Sequence, residues 1–348
     1  MTATTTAAGG PKQSQAQAEL STRSQRPLQR LQHLLHGHPW ISPLLLLVLT
    51  IVVFSIINPR FLLANSLSLL VQQTAVVAAL ALGQTLIILT AGIDLSVGAI
   101  AILSTMIMAS LAANNGVPGV LALVIGIAFG FLAGYLNGLL VTRINLPPFI
   151  VTLGTLSIFT ALALLYSGGS SIQDNRLPDI INWAGKGFTF LGFRLTTGVV
   201  IVLVMYLVVG FALSQTAWGR HVYAVGDDPE SARLSGIASQ RVLVSVYAVA
   251  GLIFGISAWV LIGRSGGATP NAITDGNLQS ITAVVIGGTS LFGGRGGVAG
   301  TLLGALIVYA FTFGLSLAGV DQQYRVLAIG ILVIVAVAID QWIRKVKG

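Results

Sequence analysis

No cysteine occurs in the 348 residues, which excludes disulfides, thiolate metal sites and cysteine nucleophiles. Charge is nearly as scarce. Asp, Glu, Lys and Arg together make up 8% of the chain, against roughly 25% in soluble domains. So little charge cannot cover a water-facing surface, and lipid must be the main solvent. Acids are the rarer sign, 10 against 18 basic residues. None lies well inside an apolar run, and Asp340 falls at the end of the last one. A proton-driven carrier would have few buried acids to work with. No G-x-x-x-x-G-K-[ST] loop is present, so the chain has no recognisable ATP site. No carboxylate pair or nucleophile–base set points to catalysis. His33, His36 and His38 lie in a basic stretch without an acidic partner, which reads as a solvated interface and not as a metal site. The expectation is a chain with no cofactor and no enzymatic activity of its own.

What fills the chain instead is apolar sequence, 55% of residues, with 41 glycines suited to close helix packing in a membrane. The net charge of +8 does not signal nucleic acid, because the basic residues sit at the ends of apolar runs and no aromatic-interleaved basic stripe occurs. Runs of spanning length or near it cover 41–57, 67–90, 95–113, 117–141, 149–166, 195–213, 242–262, 278–292, 298–318 and 324–339. The fold class expected is therefore an all-α polytopic membrane protein of about ten transmembrane helices, the run 278–292 being short for a span. With both termini in the cytoplasm, twelve of the 18 Lys and Arg residues fall inside, as the positive-inside rule requires. Residues 1–40 read as a cytoplasmic tail, polar to Gln25 without a secretory h-region, then a short basic interfacial helix. Residues 41–343 form one permeating domain and 344–348 a basic tail. The loop 214–241 is the longest clearly polar one between spans, and it falls in the cytoplasm. The segment 168–194 is too polar for lipid.

Four features carry candidate chemistry. The turn Gly92-Ile93-Asp94-Leu95-Ser96-Val97-Gly98 joins two runs with no room for an ordinary loop. Asp94 there is either an ion site or a cap on the free N–H groups opening the next span, helped by Ser96. Gly92 gives the turn its backbone freedom. The stretch Asp228-Pro229-Glu230-Ser231-Ala232-Arg233-Leu234-Ser235-Gly236 reads as a complete small helix. Asp228 is its N-cap, Pro229 its first position, Glu230 and Arg233 complement its dipole, and Gly236 stops it. So short a helix is marginal alone, so something docks on it, either the membrane domain or a soluble partner. Gly293, Gly294 and Gly296 form a sharp turn with tight backbone approach. Among polar residues inside the runs, Gln72, Gln84, Asn137 and Thr152 are candidates for a path taken by a neutral hydroxylated solute, or else for interhelical hydrogen bonds.

At these residues the chain resembles a known family. The segment Gly83-Gln84-Thr85-Leu86-Ile87-Ile88-Leu89-Thr90-Ala91-Gly92-Ile93-Asp94-Leu95-Ser96-Val97-Gly98 is similar to the signature of bacterial ABC-transporter permeases for ribose, xylose, arabinose and galactosides. The segments Trp218-Gly219-Arg220-His221-Val222-Tyr223-Ala224-Val225-Gly226, Glu230 to Ile237 and Ala283 to Leu291 with Gly293-Gly294-Arg295-Gly296 match in the family's order. The resemblance covers nearly everything after about Trp40. It implies a fold like that of the vitamin B12 permease, in the bacterial inner membrane. It implies a second permease subunit, identical or not, and a cytoplasmic ATPase with two fused nucleotide-binding domains. It also implies a periplasmic sugar-binding protein. It makes Asp228 to Gly236 the ATPase coupling segment. One departure stands out. Family members often carry Glu-Leu-Asp-Ala-Ile where this chain has Asn277-Leu278-Gln279-Ser280-Ile281, so both acids are missing.

Overall fold

In a chain this apolar, backbone N–H and C=O groups inside lipid have only each other to bond, and helices result. The computed structural model describes residues 41–273 and 275–345. The expected tail within 1–40 lies outside the described residues, as does Lys347 of the closing basic tail. In chain order the helices are α1 (Ile41–Ile57), α2 (Ala64–Leu89), α3 (Val97–Ala113), α4 (Gly119–Arg143), α5 (Pro148–Ser167), α6 (Asp179–Asn182), α7 (Thr197–Gln215), α8 (Ala217–Asp227), α9 (Pro229–Leu234), α10 (Ser239–Ser265), α11 (Gly276–Ile286), α12 (Val298–Leu317) and α13 (Gln322–Lys345). Six of them, α2, α4, α5, α7, α10 and α12, are long and apolar enough to cross a membrane. The chain is a multi-pass membrane protein.

Two helices form the centre. The most apolar windows of α2 and α10 are 67% and 72% buried, against 28–39% for the other four, so those four turn most of their surface outward. The tightest packing is between α4 and α10. A Cβ on Gly130 would meet the backbone of Gly251 and Gly255 at 2.7 Å, so only glycine lets these backbones touch. Hydrogen bonds add to the packing, Thr85 Oγ1 to Thr301 Oγ1 at 2.7 Å and Tyr206 OH to the Ala78 carbonyl at 2.9 Å.

Three segments differ from the sequence expectation. The run 278–292 is helical only over Gly276–Ile286, 11 residues and about 16 Å. That is half of the ~30 Å hydrocarbon core. Gly287-Gly288 ends it, with Gly288 at φ +83°. The polar loop 214–241 holds two helices, α8 as well as the expected α9. The segment 168–194 is not simply a wet loop. Its strand β1 (Ile172–Gln173) pairs antiparallel with β4 (Gly267–Ala268), and β2 (Gly187–Phe190) pairs with β3 (Phe193–Thr196) as a hairpin. Ile172, Leu177 and Ile181 from this segment are buried with Met106, Met108 and Ile262.

Candidate functional site

The chain between α2 and α3 doubles back into the protein. Gly92 N–H bonds the Ile87 carbonyl at 3.0 Å. Gln84, more than a turn before the end of α2, then faces the backbone of Asp94. Its amide, oriented to satisfy both neighbours, donates to Asp94 O at 3.2 Å and accepts from Asp94 N at 3.3 Å. The first turn of α3 is therefore inside the bundle and not at its rim. Asp94 and Ser96 are fully buried. Asp94 Oδ1 accepts from Ser96 N–H and Ser96 Oγ, both at 2.6 Å. Asn137 Nδ2 donates to Ser96 Oγ at 2.9 Å, and Thr152 Oγ1 donates to Ile93 O at 3.1 Å. Gly98 N–H is taken by Asn277 Oδ1 at 2.7 Å. The N-terminal ends of α3 and α11 thus meet, and a carboxylate and three amides hold the joint. Asp94 Oδ2, Asn137 Oδ1 and the Tyr247 hydroxyl have no partner among the described residues. So many unpaired buried groups in one place is costly, and it marks the joint as more than packing.

One end of the bundle carries a second joint, made of backbone. Gly294 N–H bonds Leu89 O, the end of α2, at 2.9 Å. A Cβ on Gly226 in α8 would overlap that same Leu89 oxygen. Tyr223 of α8 donates to Gly296 O at 2.9 Å, and Trp218 Nε1 donates to Ser245 Oγ of α10 at 2.8 Å. Gly294 sits at φ +68°, a conformation that side chains resist. The end of α2, the glycine turn 293–296 and α8 are consequently one unit.

Helix α9 stands on that unit. Asp228 Oδ1 accepts from Glu230 N–H at 2.9 Å and Ser231 N–H at 3.1 Å, and Oδ2 accepts from Ser231 Oγ at 2.5 Å. Pro229 occupies the first position, and Gly236 at φ +86° follows the last turn. Ala232 is buried against the bundle while Leu234 is 77% exposed. Arg233 and Glu230 pair at 2.6 Å with both side chains about two-thirds exposed, 68% and 66%. A pair so exposed stabilises little, and its charges remain available to another molecule.

Residues 66–337 match the family model described as "Branched-chain amino acid transport system / permease component". The chain belongs to this permease family. It is 48% identical to the fructose import permease protein of Rhizobium meliloti, over 92% of this chain and 90% of that protein. It is 38% identical to the ribose import permease protein of Bacillus subtilis, over 86% of this chain and 92% of that one. Its identity to the D-allose transport system permease protein of Escherichia coli is 33%, over 86% and 91%. No solved structure matches.

In the permease, three of the four path candidates are engaged at the buried turn. Gln84, Asn137 and Thr152 bond the stretch 93–96. Gln72 lies apart, donating to Arg194 O of the hairpin at 2.7 Å. Asp94 lies two residues before the helix cap position. Ser96 is the N-cap position of α3, and Asp94 secures Ser96 instead of bonding the helix's own N–H groups. Sequence reasoning noted Asn277 only as a departure from the family pattern. It missed that the side chain at 277 reaches Gly98, and it missed Tyr247, whose hydroxyl stands 3.0 Å from where a Gly92 Cβ would be. The signal for Asn277 was its place in the first turn of an apolar helix; no local signal marks Tyr247.

Proposed function

We propose that this chain is the membrane-spanning subunit of an ATP-binding-cassette importer for a monosaccharide or a similar hydroxylated solute, in the bacterial inner membrane. The sugars in the relatives' names, fructose, ribose and allose among them, support this substrate class over the amino acids of the family model's description. The chain holds about ten membrane helices with α11 as a half-length member, and both termini are cytoplasmic. It needs no cofactor and binds no nucleic acid. A cytoplasmic ATPase, two fused nucleotide-binding domains in one chain, grips Asp228 to Gly236. A periplasmic sugar-binding protein docks on the opposite face, around 168–194 and 264–276. A second permease subunit, the same chain or a homologue, completes the path.

The observation that carries the reading is α9 itself. It is a capped helix with an exposed leucine and an exposed ion pair, seated on a backbone-to-backbone joint that reaches the end of the central helix α2. Closure of the ATPase on nucleotide binding pushes α9 as a rigid body. The joint passes the displacement to α2 and to the turn beyond it. The bias comes from the different contacts that the two ATPase states make with α9.

Exchanging the charges, Glu230→Arg with Arg233→Glu, keeps the pair within the helix but inverts what a partner meets. ATPase co-purification and ATP-dependent uptake should both fall sharply while the permease level in the membrane holds. Unchanged values for both would remove α9 from the contact.

A further inference from the structure

Beside the hairpin, at the end of α10 far from α9, lies a cleft of about 480 Å³, within the range of small-molecule sites. Its walls are chemically mixed. Trp183 lines one side, stacked on Trp259 with ring centroids 5.6 Å apart and planes at 22°. Trp259 is itself fixed, its Nε1 donating to Ile180 O at 3.0 Å and Ile181 O at 3.1 Å. The Trp183 carbonyl accepts from Lys186 N–H at 3.0 Å and from Thr197 Oγ1. The indole is thus held from its ring and from its backbone, yet it remains 43% exposed. Asp179 and Lys186 reach the same cleft. Among the described residues neither side chain is paired. The floor is Gly263 and Gly266 of the α10 end, and Gly263 is pressed against the Gly185 backbone.

We propose that this cleft is a carbohydrate subsite at the outer mouth of the permease, where Trp183 stacks on the C–H face of a sugar ring while Asp179 and Lys186 take its hydroxyls. The inference rests on the sugar-importer reading. A pyranose or furanose has an apolar face and a polar rim, and this cleft has one rigid aromatic platform flanked by an acceptor-only carboxylate and a donor-only ammonium. The charges of the two flanking groups cancel, which suits a neutral solute. An aromatic pair serving only as an interfacial anchor would not need a free carboxylate beside it. The cleft lies within the face assigned to the binding protein, so a released sugar meets it first.

The test uses the full-length permease in lipid nanodiscs without its partners, with D-fructose and D-ribose as probes in saturation-transfer NMR. The expected result is saturable transfer with a dissociation constant in the range of about 1–100 mM. It should weaken about tenfold in Trp183→Ala and several-fold in the pair Asp179→Asn with Lys186→Met, and recover in part in Trp183→Phe. Absence of saturable transfer from the unaltered chain, or transfer unchanged in Trp183→Ala, overturns the subsite. Uptake by the complete importer is measured in parallel on the same variants. Uptake that is ATP-dependent while the isolated chain binds neither probe sinks the subsite and leaves the importer reading standing. Misfolding is separated by co-purification with the ATPase, which Trp183→Ala should retain.

Discussion

Asp94 shows how one carboxylate organises a break between two membrane helices. Both bonds to its Oδ1 come from Ser96, and Ser96 in turn receives Asn137. Replacing Asp94 by Ala leaves the Ser96 N–H and O–H without an acceptor inside the bundle, a cost of about 1–3 kcal/mol. Asp94→Asn keeps an acceptor and should lose less, and a thermal unfolding series in nanodiscs would rank the two. Asp228 offers a pH test. The Ser231 hydroxyl first, then the backbone N–H groups of Ser231 and Glu230, hold its carboxyl below the usual range. A depressed folded value means the cap contributes in full above the unfolded value, and its contribution is lost as pH falls through the folded one. Amide shifts of Glu230 and Ser231 should therefore stay flat between about pH 5 and 8 and move only in strong acid. Asp228→Ala should move them at neutral pH.

Among the elements, the joint of α2, α8 and the glycine turn makes the sharpest demand on sequence. Gly226→Val places side-chain atoms where Leu89 O lies. The variant should lower uptake at least about tenfold, or fail to accumulate, whereas Gly154→Ala, with open space around it, should do neither. Much of this level was readable beforehand. The bounds of α1 follow directly from the apolar run and its Asn58-Pro59 stop. The capped α9 follows from Asp228, Pro229 and Gly236, each with a local mechanism. Helix α8 was not readable by apolar runs, because its buried Val222 and Val225 share their turns with Arg220, His221 and Asp227 and average to polar. The site was legible as a turn but not as a network. Gln84, Asn137 and Thr152 stand out as intramembrane polar groups, but nothing local says that all three converge on one turn 40 or more residues away from some of them. That convergence is tertiary.

The whole molecule, on the proposed reading, has a conduit and a lever but no engine. Reconstituted with its binding protein and ATPase, it should concentrate a sugar only when ATP is hydrolysed. With the ATPase omitted, a proton or sodium gradient should drive no uptake; uphill flux under those conditions would defeat the importer reading. The buried turn also governs how the protein is made. Asp94 emerges from the ribosome 43 residues ahead of Asn137 and 153 ahead of Tyr247, and on its own it has no place in hydrocarbon. Helices α2 and α3 therefore cannot be released into lipid one at a time by the insertion machinery. They should leave it together with α4, which brings the Asn137 amide to Ser96.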